Sequence, residues 1–223
     1  MIPTIRDYFT NIRSTDSNPS RVDQPHFVVA GCSHSAGVGV DREQRYDQII
    51  QRSIGLPAYN VALAGGCAAI VSVYLAQWID SVGTPEFVVA QWPEHARWPV
   101  WVPGDQLTPY MRVDNPQDHT AIYRNVLKSS EDNFWADWMR SVVLTNILCR
   151  KLNIPVINVY FDTLPKTIRE ILEEDKQIKV HDNREPGYWP QDGRAADGAH
   201  HSARCHRAWA DRILGIINET TTR

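Results

Sequence analysis

Short apolar runs alternate along this chain with longer stretches of helical periodicity, and that alternation constrains the fold more than any other feature. "FVVAG" at 27–31 is an apolar run closed by glycine, the pattern of a strand buried on both faces. "REQRYDQIIQRSIGL" at 42–56 sets Tyr46, Ile49, Ile50 and Ile54 on one helical face, and "AYNVAL" at 58–63 reads as a second strand. The cycle continues with a helix in "CAAIVSVYLAQWIDSV", a strand in "EFVVAQW", a long helix in "DNFWADWMRSVVLTNILCRKLN" and a strand in "IPVINVYF". A helix in "TLPKTIREILEED", a short edge strand in "QIKVHD" and a closing helix in "HHSARCHRAWADRILGIINE" complete it. Strands separated by helices of about ten or more residues need crossover connections, so the sheet is parallel and covered on both faces. The expectation is a three-layer α/β/α sandwich around a mostly parallel five-stranded sheet. In such sheets ligands sit beyond the carboxyl ends of the strands, where the strand order reverses, and Ser33 follows directly on the first strand.

The 223 residues, 43% of them hydrophobic, suit one globular domain. Residues 1–24 are polar and broken by Pro and Ser, so they read as an N-terminal arm outside a single domain at 25–223. Segment 92–130, rich in Trp and Pro, reads as an insertion lying over the strand ends. With 23 Lys and Arg against 26 Asp and Glu, the chain lacks the basic face of a nucleic-acid binder. The N-terminus has neither the basic start nor the apolar stretch of a secretory leader, and no window reaches the roughly 18 apolar residues of a membrane span. A soluble, cytoplasmic protein without a membrane partner is expected. Cys32, Cys67, Cys149 and Cys205 form no CxxC pair, which suits ordinary thiols in a reducing compartment and leaves the Asn218 glycosylation triplet without weight.

A serine nucleophile needs a base within hydrogen-bond reach and a third group to orient that base. Near the C-terminus, Asp197 and His200 stand three apart, a spacing that lets the carboxylate reach imidazole Nδ1. The G-x-S-x-G elbow of α/β-hydrolases is missing, because the turn runs Gly31-Cys32-Ser33-His34-Ser35-Ala36-Gly37. Plainer readings stand beside each sharp one. Ser33 fits a turn serine that caps a helix. His34 fits a second active-site group or a surface histidine at the pocket. His200 or His201 with Cys205 and His206 offers metal-ligand types at helical spacing, yet one helix seldom closes a zinc site. Trp92, Trp98 and Trp101 suit a platform for sugar rings or acyl groups, or a cover for the sheet. Arg97 suits recognition of an anionic substrate group or an ordinary salt bridge, while Trp135, Trp138 and Trp209 follow helical faces into the core. Cys32 and Cys67 read as small buried thiols.

Three blocks give the chain a resemblance to the SGNH (GDSL-type) hydrolases, a family of esterases, lipases and carbohydrate O-acetyl esterases. "GCSHSAG" resembles the family's G-D-S-x-[ST]-x-G, "NVALAGG" holds its N-x-x-x-x-G from Asn60 to Gly65, and "DGAH" matches D-x-x-H. The resemblance implies a flavodoxin-like sandwich, no cofactor and no metal, and a small-molecule or carbohydrate ester as substrate, of short acyl chain. It makes Ser33 the nucleophile, His200 the base and then acid, and Asp197 the orienting carboxylate. The backbone N–H groups of Ser33 and Gly65 would form the oxyanion hole.

Two departures stand out. Cys32 replaces the Asp of the first block, and the third block, G-x-N-D, reads Gln91-Trp92-Pro93-Glu94. No Asn is there to donate, and Pro93 lacks an N–H. His34, Gln91, Trp92 and Arg97 are the candidate substrate contacts, with Gln91, His95 or Arg97 positioned to replace the lost donor. The alternative is a catalytically silent SGNH-fold binding or structural module. A flavodoxin-like small-ligand binder is weaker, since no glycine-rich phosphate loop opens a helix.

Overall fold

The computed structural model describes residues 21–95, 97, 131–160, 164–174, 180–182, 194–195, 197–198 and 200–221. Nearly all of the expected arm, and most of segment 92–130 with Trp98 and Trp101, lie outside the described residues. Five strands, β1 (Phe27–Ala30), β2 (Ala58–Asn60), β3 (Phe87–Trp92), β4 (Val156–Tyr160) and β5 (Val180–Asp182), form one sheet in the order β2-β1-β3-β4-β5. Every pairing is parallel, with Phe27 opposite both Ala58 and Phe87, and Val88 opposite Val156. The helices are α1 (Ser33–Ala36), α2 (Tyr46–Ile54), α3 (Ala68–Ser81), α4 (Glu131–Lys151), α5 (Lys166–Glu174) and α6 (Ala203–Thr221). This is the flavodoxin-like α/β/α sandwich.

Period-two alternation along the strands divides the core into two layers. Val28 and Ala30 of β1, Val88, Ala90 and Trp92 of β3, and Tyr160 of β4 face one layer, packed with Val71, Leu75 and Trp78 of α3 and Trp138 and Val142 of α4. Phe27, Val29, Val89, Ile157 and Val159 face the other, against Tyr46, Ile49 and Ile50 of α2 and Trp209, Ile213 and Ile216 of α6. Full burial of one such aliphatic side chain contributes roughly 1.5–3 kcal/mol, so the two apolar faces commit each helix to its side.

The single helix expected over 42–56 is divided. Arg42–Gln44 form a 3₁₀ turn, Arg45 is extended at φ −65° and ψ 144°, and α2 begins at Tyr46. The cause is a buried fork. Arg45 donates through Nε to Asp47 Oδ1 at 3.0 Å and through an Nη to Asp47 Oδ2 at 2.7 Å, a contact that a continuous helix would not place at this spacing. The second expected strand also ends early, at Asn60, although Val61 and Leu63 still donate to Val29 and Gly31 and so carry the chain along the end of β1.

The chain leaves β1 for β2 on one side and reaches β3 on the other. The strand order therefore reverses between β1 and β3, and the turn after β1 opens at that point.

Candidate active site

Gly31 ends β1 in a space that admits no side chain, since a Cβ there would lie 2.4 Å from Ser35 Oγ and 2.7 Å from Gln91 Oε1. The next residues close into the single turn of α1, which stops at Gly37 in the left-handed region at φ 76°. Beneath this turn lies Gln91 of β3. Its Oε1 accepts from the Cys32 N–H at 3.0 Å, from Cys32 Sγ at 3.1 Å and from Ser35 Oγ at 3.2 Å. Tyr46 donates its hydroxyl to Ser35 Oγ at 2.8 Å, so α2 holds the same turn from the side. Asn60 ties in the β2–α3 loop, its Nδ2 donating to the Ser35 carbonyl at 2.7 Å while its Oδ1 accepts from the Ala62 N–H at 3.0 Å.

The β2–α3 loop then turns sharply at Gly65, φ 78°, with the Gly66 N–H donating to the Leu63 carbonyl. A Cβ on Gly66 would meet the Leu63 carbonyl at 2.9 Å and that of Gly31 at 3.2 Å, so this loop lies against the turn that carries Ser33. As the first residue of α1, Ser33 has an N–H with no intrahelical acceptor.

Asp197 and His200 meet as their spacing predicts. Oδ2 of Asp197 lies 2.6 Å from His200 Nδ1, and Oδ1 accepts from the His200 backbone N–H at 3.0 Å. A carboxylate on Nδ1 fixes the tautomer in which Nε2 is free of its proton and can accept one. The turn that holds the pair is built by Gly198 at φ 69°, by the Ala195 N–H donating to the His200 carbonyl, and by Arg194 reaching the Gly198 carbonyl at 2.9 Å. It packs on the segment after α1, where a Cβ on Gly39 would stand 2.7 Å from that of Ala195 and 3.1 Å from Asp197 Oδ2.

The His200 ring lies 5.2 Å, centroid to centroid, from that of His34, the residue after Ser33. No hydrogen bond between Ser33 and His200 is formed among the described residues, and Ser33 is 6% exposed. Such contacts are commonly long in substrate-free enzymes and tighten when a substrate is bound.

His34 is a buried ring, not a surface one. Its ring meets that of His201 at a tilt of 44°, with centroids 3.9 Å apart, and His201 in turn makes a T-shaped contact with Trp209 at 5.4 Å. Burial, reinforced by the Arg97 guanidinium and the neighbouring rings of His200 and His206 and opposed by Asp197, lowers the His34 pKa to about 3. Burial lowers His201 to about 2 and His206 to about 4. His206 packs against Tyr46, whose N–H donates to its Nδ1 at 3.3 Å. Among the described residues no group of three or more His, Cys, Asp and Glu is arranged to hold a metal.

Two candidate substrate contacts are corrected. Trp92 faces the core layer shared by Val88 and Ala90, is fully buried, and donates its indole N–H to Asn158 Oδ1 at 2.9 Å. Strand alternation sends it down into the fold and away from any ligand. Gln91 is also fully buried, and its carbonyl is taken up by the turn after β1, so it supports Ser33 from below and does not reach into the site. Arg97 does reach a cavity. It pairs with Glu94 at 3.3 Å, extends toward the Gly66 carbonyl at 3.5 Å, and lines a space of about 450 Å³ with Cys67, Ala68, His95, Phe134 and Trp138. His95 lies flat on Trp135 in that wall, with ring centroids 3.9 Å apart.

The parts missed from sequence are the anchoring roles of Tyr46 and His201, whereas Asn60 was marked by the block that opens with it. His201 carried one signal, its position beside His200, while the partners of Tyr46 come from distant segments.

No family model matches the sequence, and no curated protein matches it. Solved structures do. The chain is similar to a psychrotrophic esterase from Pseudoalteromonas sp., inhibited by monoethylphosphonate, at 10% identity and a TM-score of 0.58, over 90% of this chain and 100% of that one. It is similar to a member of the lipolytic protein G-D-S-L family from Veillonella parvula at 14% identity and a TM-score of 0.53, over 87% of this chain and 99% of that one. An acetyl xylan esterase from Butyrivibrio proteoclasticus superposes at 12% identity and a TM-score of 0.54, over 90% of this chain and 65% of that one. The class that the architecture defines is therefore the SGNH-hydrolase fold, in a chain divergent in sequence from these structures. Among the described residues no helix is long and apolar enough to cross a membrane.

Proposed function

We propose that the protein is a serine esterase acting by acyl transfer. The observation that carries this reading is the Asp197–His200 pair at 2.6 Å, its ring 5.2 Å from that of the residue following Ser33, at the point where the strand order reverses. Ser33 Oγ attacks the ester carbonyl while His200 Nε2 takes the hydroxyl proton. The tetrahedral intermediate collapses as His200 returns that proton to the leaving alcohol. Water then attacks the acyl-enzyme by the same route, releasing the acid and restoring Ser33. Asp197 keeps Nδ1–H bonded and stabilises the imidazolium that forms. The N–H groups of Ser33 and Gly65 are the donors for the oxyanion, and loss of a single side-chain donor from such a hole typically lowers the rate about 10²–10³-fold. With no Asn in the third block and Gln91 committed below the turn, a slow enzyme is the expected outcome.

The preferred substrate is a short acyl ester, such as an acetyl group on a carbohydrate. The acetyl xylan esterase among the structural neighbours supports that choice. Labelling with a fluorophosphonate probe and peptide mapping tests the reading. Modification of Ser33, lost in Ser33→Ala together with hydrolysis of p-nitrophenyl acetate while the melting temperature holds, is expected. A folded protein that is not labelled at Ser33 refutes it. That result favours the silent binding module, a reading supported by the missing Asn and by the burial of Ser33 to 6% exposure.

A further inference from the structure

Asp197 and His200 do not fix their own place in the fold. Their side chains are 35% and 24% exposed, so their hydrogen bond moves with the turn that carries it. Two contacts seat the turn: Ala195 and Asp197 pack on Gly39 after α1, and His201, 7% exposed and bridged through its backbone to Arg194, packs between the rings of His34 and Trp209. His34 is fixed just as firmly, because it follows Ser33 in the turn that Gln91, Tyr46 and Asn60 hold together. Two adjacent pairs thus face each other: Ser33 with His34, and His200 with His201.

We propose that the His34–His201 ring contact registers His200 against Ser33, making His34 and His201 positioning residues of the hydrolytic site. The proposal rests on the serine esterase reading. The centroids of the two flanking rings lie 3.9 Å apart where the two candidate reacting side chains form no direct bond, so this ring contact is a buried link between the nucleophile turn and the base turn. Misplacement of a reacting group by about 1 Å typically costs about 10²-fold in rate.

The contact works only with neutral rings, since two imidazolium ions at this separation repel. The groups facing it are Asp197, His200, Arg97 and His206, with Asp47 and Arg45 acting on His206, and burial keeps His34 and His201 uncharged well below neutral pH. Aromatic shape, with no proton exchange, is therefore the property the site uses.

The test compares His201→Ala with His201→Phe in the full chain. Fluorophosphonate labelling of Ser33 and kcat for p-nitrophenyl acetate should fall at least tenfold in His201→Ala with KM nearly unchanged. His201→Phe should restore most of that loss, and adding His34→Ala to His201→Ala should produce little further decline. Equal rates in wild type and His201→Ala, or losses in His201→Ala and His34→Ala that simply multiply, overturn the proposal. A second readout is independent of turnover: NMR cross-relaxation between the His34 and His200 rings should vanish in His201→Ala and persist in His201→Phe. If wild type shows no labelling at Ser33, the esterase reading fails, and this contact still decides the registration. Its persistence in His201→Ala overturns the proposal.

Discussion

Acidification from pH 7.5 to 5.5 should destabilise this protein far more than its surface charges would suggest. Burial holds His34, His201 and His206 at folded-state pKa values of about 3, 2 and 4, whereas in the unfolded chain each returns to about 6.5. Below 6.5 the unfolded state binds protons that the folded state refuses. Their stabilising contribution is thus complete above pH 6.5 and shrinks as the pH falls toward the folded values. By pH 5.5, one unit below the unfolded pKa, each histidine has lost about 1 kcal/mol or a little more, and the three together about 4 kcal/mol. Against a typical total of about 5–15 kcal/mol that is a large share, equivalent to a fall in Tm of about 8–16 °C for a chain of this size. Urea unfolding at the two pH values and constant ionic strength measures the difference directly. His206→Asn, whose amide oxygen can still accept the Tyr46 N–H, should remove about a third of the pH dependence. A wild-type loss below about 1 kcal/mol would refute the reasoning, since it would mean that these rings are hydrated enough to protonate in the folded state.

Three further outcomes are expected. Asp197→Asn should lower kcat for p-nitrophenyl acetate by about 10³–10⁴-fold with little change in KM, because the amide no longer selects the tautomer with a free Nε2; a loss below tenfold would remove Asp197 from the site. Gly31→Ala should cost about 1–3 kcal/mol in urea unfolding and slow the labelling of Ser33, because the new methyl meets Ser35 Oγ and Gln91 Oε1 well inside contact distance; wild-type stability would show that the turn has room to shift. Trp92→Phe should cost about 1–2 kcal/mol by removing the indole donor to Asn158, with KM unchanged; a raised KM would return Trp92 to the substrate.

The order of elements and the parallel sheet were legible because each strand and helix declares itself locally, by an apolar run or by a 3.6-residue period. Asp197 and His200 were legible for the same reason: three residues apart, their contact needs only one tight turn. The position of Ser33, directly after β1, was legible from the apolar run before it. The short helix α1 escaped, since four residues carry no period, and the late start of α2 within the 42–56 stretch depended on an Arg45–Asp47 fork that propensity does not encode.

By itself, then, the sequence determined the layers of the sandwich, the direction of its strands and the residue types of the candidate site, all properties of short stretches of chain. Tertiary structure alone decided where side chains of the right chemistry ended up. Trp92 and Gln91 sit side by side in sequence at the strand end, yet alternation drives one into the α3–α4 core and the other beneath the Ser33 turn. The His34–His201 ring contact joins residues from opposite ends of the domain, and nothing in either local sequence announces it. Such contacts arise when separate elements compete for the same buried volume, and only the packed fold settles which rings meet.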